Sequence, residues 1–143
     1  MRVTLAIYGG ATCGEISFVR LQNTIYGGQK IRLSSYEILQ YYGMERFLYR
    51  LSKTSHVNDL ILKGGLMFYG LEIPMRRTTR NIDFLGVSEN AQRDILSVFH
   101  DALSVSFAED GVHFDTKTLR LSQTQAEANQ DGIRITFIGI WAK

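Results

Sequence analysis

The chain has 143 residues and a mass of 16.3 kDa, the length of a single domain. Hydrophobic residues make up 45% and charged residues 21%, which excludes disorder; a formal net charge of +2 excludes a bulk nucleic-acid binder, so any such contact must come from a local patch. One cysteine, Cys13, excludes a disulfide framework and a cysteine-based zinc site, and one proline, Pro74, excludes a proline-rich linker.

No apolar run reaches the roughly 18–20 residues that a bilayer span needs. The longest candidate, residues 60–75, is broken by Lys63 and Glu72. Arg2 and the apolar residues 3–7 imitate a signal peptide only faintly, because Gly9 and Gly10 interrupt the run and no small-x-small cleavage site follows. A reduced cytoplasm, with no membrane partner, is the expected setting.

Residues 1–32 are dotted with glycines and read as an irregular segment with short strands at 3–7 and 16–19. Residues 33–143 read as one domain. Ser34 and Glu37 fit a capping box, and Ile38, Tyr41, Met44, Phe47, Leu48 and Leu51 then recur at helical spacing. Glu37, Glu45, Arg46 and Arg50 lie off that apolar stripe. The tyrosines at 36, 41, 42 and 49 share the helical spacing and read as packing residues. Leu60, Ile61 and Leu62 form a short strand stopped by Lys63-Gly64-Gly65. A helical segment over 66–71 follows, ended by Pro74, then a basic loop and a strand over 82–85 closed by Gly86. Ser88 is the expected cap of another helix, with Ile95, Leu96, Phe99, Ala102 and Leu103 on one face. Val105 and Phe107 alternate, as do Val112 and Phe114, around a turn at Glu109-Asp110-Gly111. Residues 118–121 suggest a further strand, 123–131 a polar loop, and Ile133 to Trp141 a last strand with apolar residues on both faces. This order predicts an α+β domain with helices against a mixed sheet.

The chemistry concentrates between residues 60 and 86. Glycines after a strand let backbone amides approach a ligand, and the start of a helix suits a phosphate. The P-loop spacing is absent. On a strand, residues two apart share a face, so Asn81 and Asp83 point one way while Ile82 and Phe84 enter the core. Two oxygen-bearing side chains beside such a turn suit metal-assisted phosphoryl chemistry. Taken singly, the glycine pair is better explained as a tight strand–helix turn and Asp83 as a solvated strand-end aspartate. Arg76, Arg77 and Arg80 read either as contacts to a triphosphate or RNA backbone or as a solvated loop. His56, His100 and His113 are scattered and read as structural or surface residues.

Together, Lys63-Gly64-Gly65, a helix, a basic loop and Asn81-Ile82-Asp83 resemble the nucleotidyltransferase superfamily, whose signature is Gly-Gly or Gly-Ser followed by Asp-x-Asp on a strand. More closely, the chain resembles the AbiEii/AbiGii toxin family, through blocks at residues 44–52, 62–65, 77–86, 110–115 and 132–135. The resemblance implies a polymerase-β-like α+β fold usually followed by a helical half. It implies transfer of a nucleotide from a nucleoside triphosphate (NTP) to an acceptor such as a tRNA 3′ end. Mg²⁺ would be held at Asp83 and Asn81, and the triphosphate by Lys63, Gly64, Gly65, Arg77 and Arg80. Members commonly act in toxin–antitoxin or phage-defence systems, so a cognate antitoxin is an implied partner. Two departures stand out. Asn81 replaces the first aspartate of Asp-x-Asp, and the chain ends near where the family bears its third carboxylate, so the C-terminal helical half is expected to be missing. Weak or absent transfer is therefore expected, with a non-catalytic nucleotide- or partner-binding relative as the alternative. Uncovered sheet edges also suggest a homodimer.

Overall fold

The computed structural model describes residues 2–10, 25–26, 29–30, 34–71, 79–87, 94–125 and 131–141. Seven strands are present among them: β1 (Arg2–Gly10), β2 (Ile25–Tyr26), β3 (Gln29–Lys30), β4 (Leu60–Lys63), β5 (Ile82–Gly86), β6 (Val112–Gln125) and β7 (Asp131–Trp141). The α-helices among these residues are α1 (Ser35–Leu51), α2 (Gly65–Gly70) and α3 (Ile95–Ser104).

Five strands form a mixed sheet in the order β4-β5-β1-β7-β6, and β2 and β3 form a separate ladder. Strand β1 takes the central position, parallel to β7 and antiparallel to β5; the other pairs are antiparallel. The α+β architecture with a mixed sheet is as the sequence predicts. The sheet draws its middle strand from the glycine-dotted N-terminal region: β1 contains the expected strand at 3–7, and the expected strand at 16–19 lies outside the described residues.

Helix α1 starts where the capping box predicts. The Ser34 hydroxyl accepts from the Glu37 N–H, and the Ser34 N–H donates to the Glu37 carboxylate at 2.8 Å. Its stripe of Ile38, Tyr41, Met44, Phe47 and Leu51 is buried. Helix α3 is capped by Asp94, whose carboxylate accepts from the Ser97 N–H; the expected cap, Ser88, lies outside the described residues. Its buried face is Ile95, Val98, Phe99, Ala102 and Leu103, while Leu96, expected on that face, is exposed. At about 100° per residue, Val98 and Leu96 lie on opposite flanks of the Ile95–Phe99–Ala102 stripe, and the core covers the Val98 flank.

The core lies between α1, α3 and one face of the sheet. Ile82, Phe84, Phe114, Ile135, Phe137 and Trp141 supply that face. Phe47 is its hub, stacked on Phe99 at 5.4 Å and edge-on to Phe84 and Phe114 at 6.5 and 6.3 Å. On the opposite face, Ile61, Leu85, Ile138 and Ile140 stay exposed.

The C-terminal hairpin differs in detail from the sequence reading. Residues 105–107 are not a strand, and 112–125 form one strand rather than two, with an irregularity between Asp115 and Arg120. There the Thr118 hydroxyl donates to the Asp115 carbonyl and accepts from the Ile138 N–H at 2.9 Å, which keeps the strands joined across the kink. Gln123, Thr124 and Gln125 belong to β6 and not to a loop. An edge strand faces water on one side, so its pairing leaves little apolar alternation to read.

Candidate functional site

The candidate site is the corner after β4. Lys63 ends that strand directly opposite Asp83 of β5, so the two occupy one face of the sheet. Gly64 then adopts a left-handed conformation at φ 72°. A Cβ at Gly64 would lie 2.9 Å from the Asp83 carboxylate oxygen Oδ2. Two constraints therefore require glycine here: the backbone sign, and the carboxylate packed against the Cα. Gly65 opens α2, which with six residues spans under two turns.

Helix α1 fixes the approach to Asp83. The Tyr41 hydroxyl accepts from the Thr79 N–H at 2.8 Å, and the Gln40 side-chain amide donates to the Arg80 carbonyl at 3.1 Å. The Thr79 hydroxyl donates to the Asn81 carbonyl at 3.3 Å. Three consecutive residues ahead of β5 are thus tied down before the strand begins. Tyr41 packs in the core, as its spacing implies, and its hydroxyl also positions this segment. Neither that role nor Gln40 is visible in the sequence, because both depend on where a distant loop returns to α1.

Asn81 occupies a bend just before β5, so the strand's alternation, which places Asp83 opposite Ile82 and Phe84, starts one residue after it. Both Asn81 and Asp83 are half-buried, as are Lys63, Gly64 and Gly65; Arg80 is exposed. Arg76, Arg77 and Cys13 lie outside the described residues. No group of three or more His, Cys, Asp and Glu side chains converges as a metal site among the described residues. A cavity of about 580 Å³, lined in part by Arg50, Val105, Phe107, His113 and Phe114, opens beside β6, at the opposite edge of the sheet from β4. It is separate from the Gly64–Asp83 corner.

Two further clusters hold the scaffold. Arg50 belongs to the buried interior, not to the solvated side of α1 where its spacing puts it. Its guanidinium donates to Asp110 Oδ1 at 3.1 Å and to the Val105 and Val112 carbonyls, and lies 4.7 Å above the Phe114 ring. Nearby, burial pushes the Tyr42 hydroxyl up from its ordinary value, so it stays protonated and donates to the Asp110 carbonyl at 2.7 Å. His56 is a structural residue: it reaches Asp59 through Nδ1 at 2.9 Å and Asp101 of α3 through Nε2 at 3.0 Å. The Asp59 bond, then the Asp101 bond, hold its pKa above the ordinary histidine value against the opposing effect of burial.

Residues 46–140 match the family described as nucleotidyl transferase AbiEii toxin, of type IV toxin–antitoxin systems. The chain belongs to the AbiEii family. The match begins within α1 and runs through the Gly64 corner, Asp83 and α3 to the penultimate residue of β7. Strand β1 lies ahead of it, although it is the central strand of the five-stranded sheet. No curated protein and no solved structure matches the chain at a significant level. No α-helix among the described residues is long and apolar enough to cross a membrane.

Proposed function

We propose that this AbiEii-family protein binds an NTP at the Gly64–Asp83 corner and transfers its nucleotide slowly to an acceptor such as a tRNA 3′ end. One observation carries the reading: a glycine held left-handed against the Asp83 carboxylate, beside Lys63, on the sheet face opposite α1 and α3. Lys63 supplies a positive charge for the phosphates, and Gly64 and Gly65 keep side chains out of their way. Arg77 and Arg80 are proposed as further phosphate contacts from the preceding loop. In the transfer, the acceptor hydroxyl oxygen bonds to the α-phosphorus and the bond to the β-phosphate oxygen breaks. Pyrophosphate leaves, and the hydroxyl proton passes to water.

Asp83 would hold Mg²⁺ together with the triphosphate, and the Asn81 amide would add a neutral oxygen. When bound, Mg²⁺ neutralises charge on the phosphates. Asn81 carries the expectation of slow turnover, because a missing unit charge costs roughly 4 kcal/mol of attraction at 4 Å and an effective dielectric of 20. The same residue favours the second reading, a relative that binds nucleotide or a partner without turnover.

Incubating the protein with labelled NTP, Mg²⁺ and bulk tRNA, alongside Asp83→Asn, separates these readings. Incorporation abolished in the variant supports transfer. An NTP-dependent rise in melting temperature without incorporation supports binding alone. No shift and no incorporation would reject both. A cognate antitoxin is the proposed protein partner and the cytoplasm the proposed location, with a role in phage defence. A homodimer through the sheet edges would appear as doubled mass in light scattering.

A further inference from the structure

Strand register joins residues that the sequence keeps far apart. Lys63 pairs with Asp83, Asp83 with Thr4, Thr4 with Arg134, and Arg134 with Ser122. These five positions form one rung across the whole sheet. Paired residues share a face, so Arg134 stands on the same open face as Asp83, and its exposure agrees. With strands about 4.8 Å apart, Arg134 is about 10 Å from Asp83, on the side away from Lys63.

Arg134 offers a free, exposed cation on this face. Its guanidinium has no hydrogen-bond or ion-pair partner among the described residues. Ser122 lies directly across from it, and its hydroxyl donates to the Arg134 carbonyl at 3.5 Å. Gly132, two residues earlier on the same face, lies under the Thr124 hydroxyl, and any Cβ there would strike that oxygen. Glycine there leaves room for the Thr124 hydroxyl. Arg120 also belongs to this face, but its guanidinium donates to the Lys117 and Leu119 carbonyls.

We infer that Arg134 binds the phosphodiester backbone of a nucleic-acid acceptor. The inference rests on the proposed NTP site at the Gly64–Asp83 corner. In-line phosphoryl transfer puts the leaving and attacking oxygens on opposite sides of the phosphorus. With the leaving phosphates at Lys63, the acceptor strand enters from the Arg134 side. A guanidinium is a common backbone contact, giving position without reading sequence.

The test uses the full chain, a fluorescein-labelled RNA hairpin with a single-stranded 3′ end, and Mg²⁺-NTP. RNA affinity is read by anisotropy across a salt series and NTP binding by melting shift, for wild type, Arg134→Gln and Arg134→Lys. Arg134→Gln is expected to bind RNA about fivefold more weakly and to flatten the log–log salt slope by about 0.7, the value of one single-strand phosphate contact. Arg134→Lys should recover the slope, and both variants should keep the NTP shift and the wild-type melting temperature. Unchanged RNA affinity and slope in Arg134→Gln would overturn the assignment, as would a wild type that binds NTP but no RNA; either result leaves the NTP site standing. An Arg134-dependent RNA affinity with no NTP shift would overturn the NTP site and keep the Arg134 contact. Binding of neither ligand would overturn both.

Discussion

Gly64 shows how one position can carry both a backbone and a site requirement. Its left-handed φ alone costs an L-residue about 1–2 kcal/mol, and a methyl group would in addition push the Asp83 carboxylate away. Gly64→Ala is accordingly expected to lower stability by about that amount in urea unfolding and to abolish the NTP-induced melting shift. Asn81→Asp works in the other direction. It restores a charge beside Asp83 and should tighten Mg²⁺-NTP binding by roughly tenfold or more, read by titration, with a parallel rise in nucleotide incorporation. Both residues are legible in the sequence, because glycine pairs and short polar-apolar alternations are local signals. Arg134 shows the limit of that legibility. Its type and its Gly132 neighbour are visible, but its place on the Asp83 rung is set by pairings between distant strands.

At the level of elements, α1 does more than cover the sheet. Through Tyr41 and Gln40 it holds the residues that lead into β5, so the helix and the proposed site are mechanically linked. Tyr41→Phe keeps the packing and removes the acceptor for the Thr79 N–H. A loss of about 1 kcal/mol in stability is expected, with a weaker NTP shift out of proportion to it. His56 links the 3-10 turn at Ser55–Asn58 to α3 through its two aspartates. Its folded pKa is raised, so the folded state holds the proton more tightly than the unfolded chain. The stabilisation is complete below the unfolded value of about 6.5 and is lost as pH rises through the higher folded value. The melting-temperature gap between wild type and His56→Gln should therefore be widest in mild acid and close toward alkaline pH. Helix α1 could be placed from its capping box and stripe alone, whereas the flank of α3 that the core covers is set by packing against distant elements, which local spacing does not display.

At the scale of the molecule, Arg50 and Asp110 tie α1 to the start of β6, and both are almost wholly buried. Removing either partner strands a charge in the interior, so Arg50→Ala should cost about 3–5 kcal/mol in denaturant unfolding, far more than a surface arginine. Sequence spacing assigns Arg50 to the solvated side, since its partners arrive from a part of the chain that helical periodicity cannot see. The interleaving of β1 between β5 and β7 has a consequence for biosynthesis. A ladder that joins Val3 to Ile133 cannot close while the later segment is still inside the ribosome. Arg2–Gly10 is made early and must wait, and Lys63, Asp83 and Arg134 come into line only after the two far-apart stretches meet. The proposed site on a nascent chain therefore stays unassembled until the β7 segment has emerged.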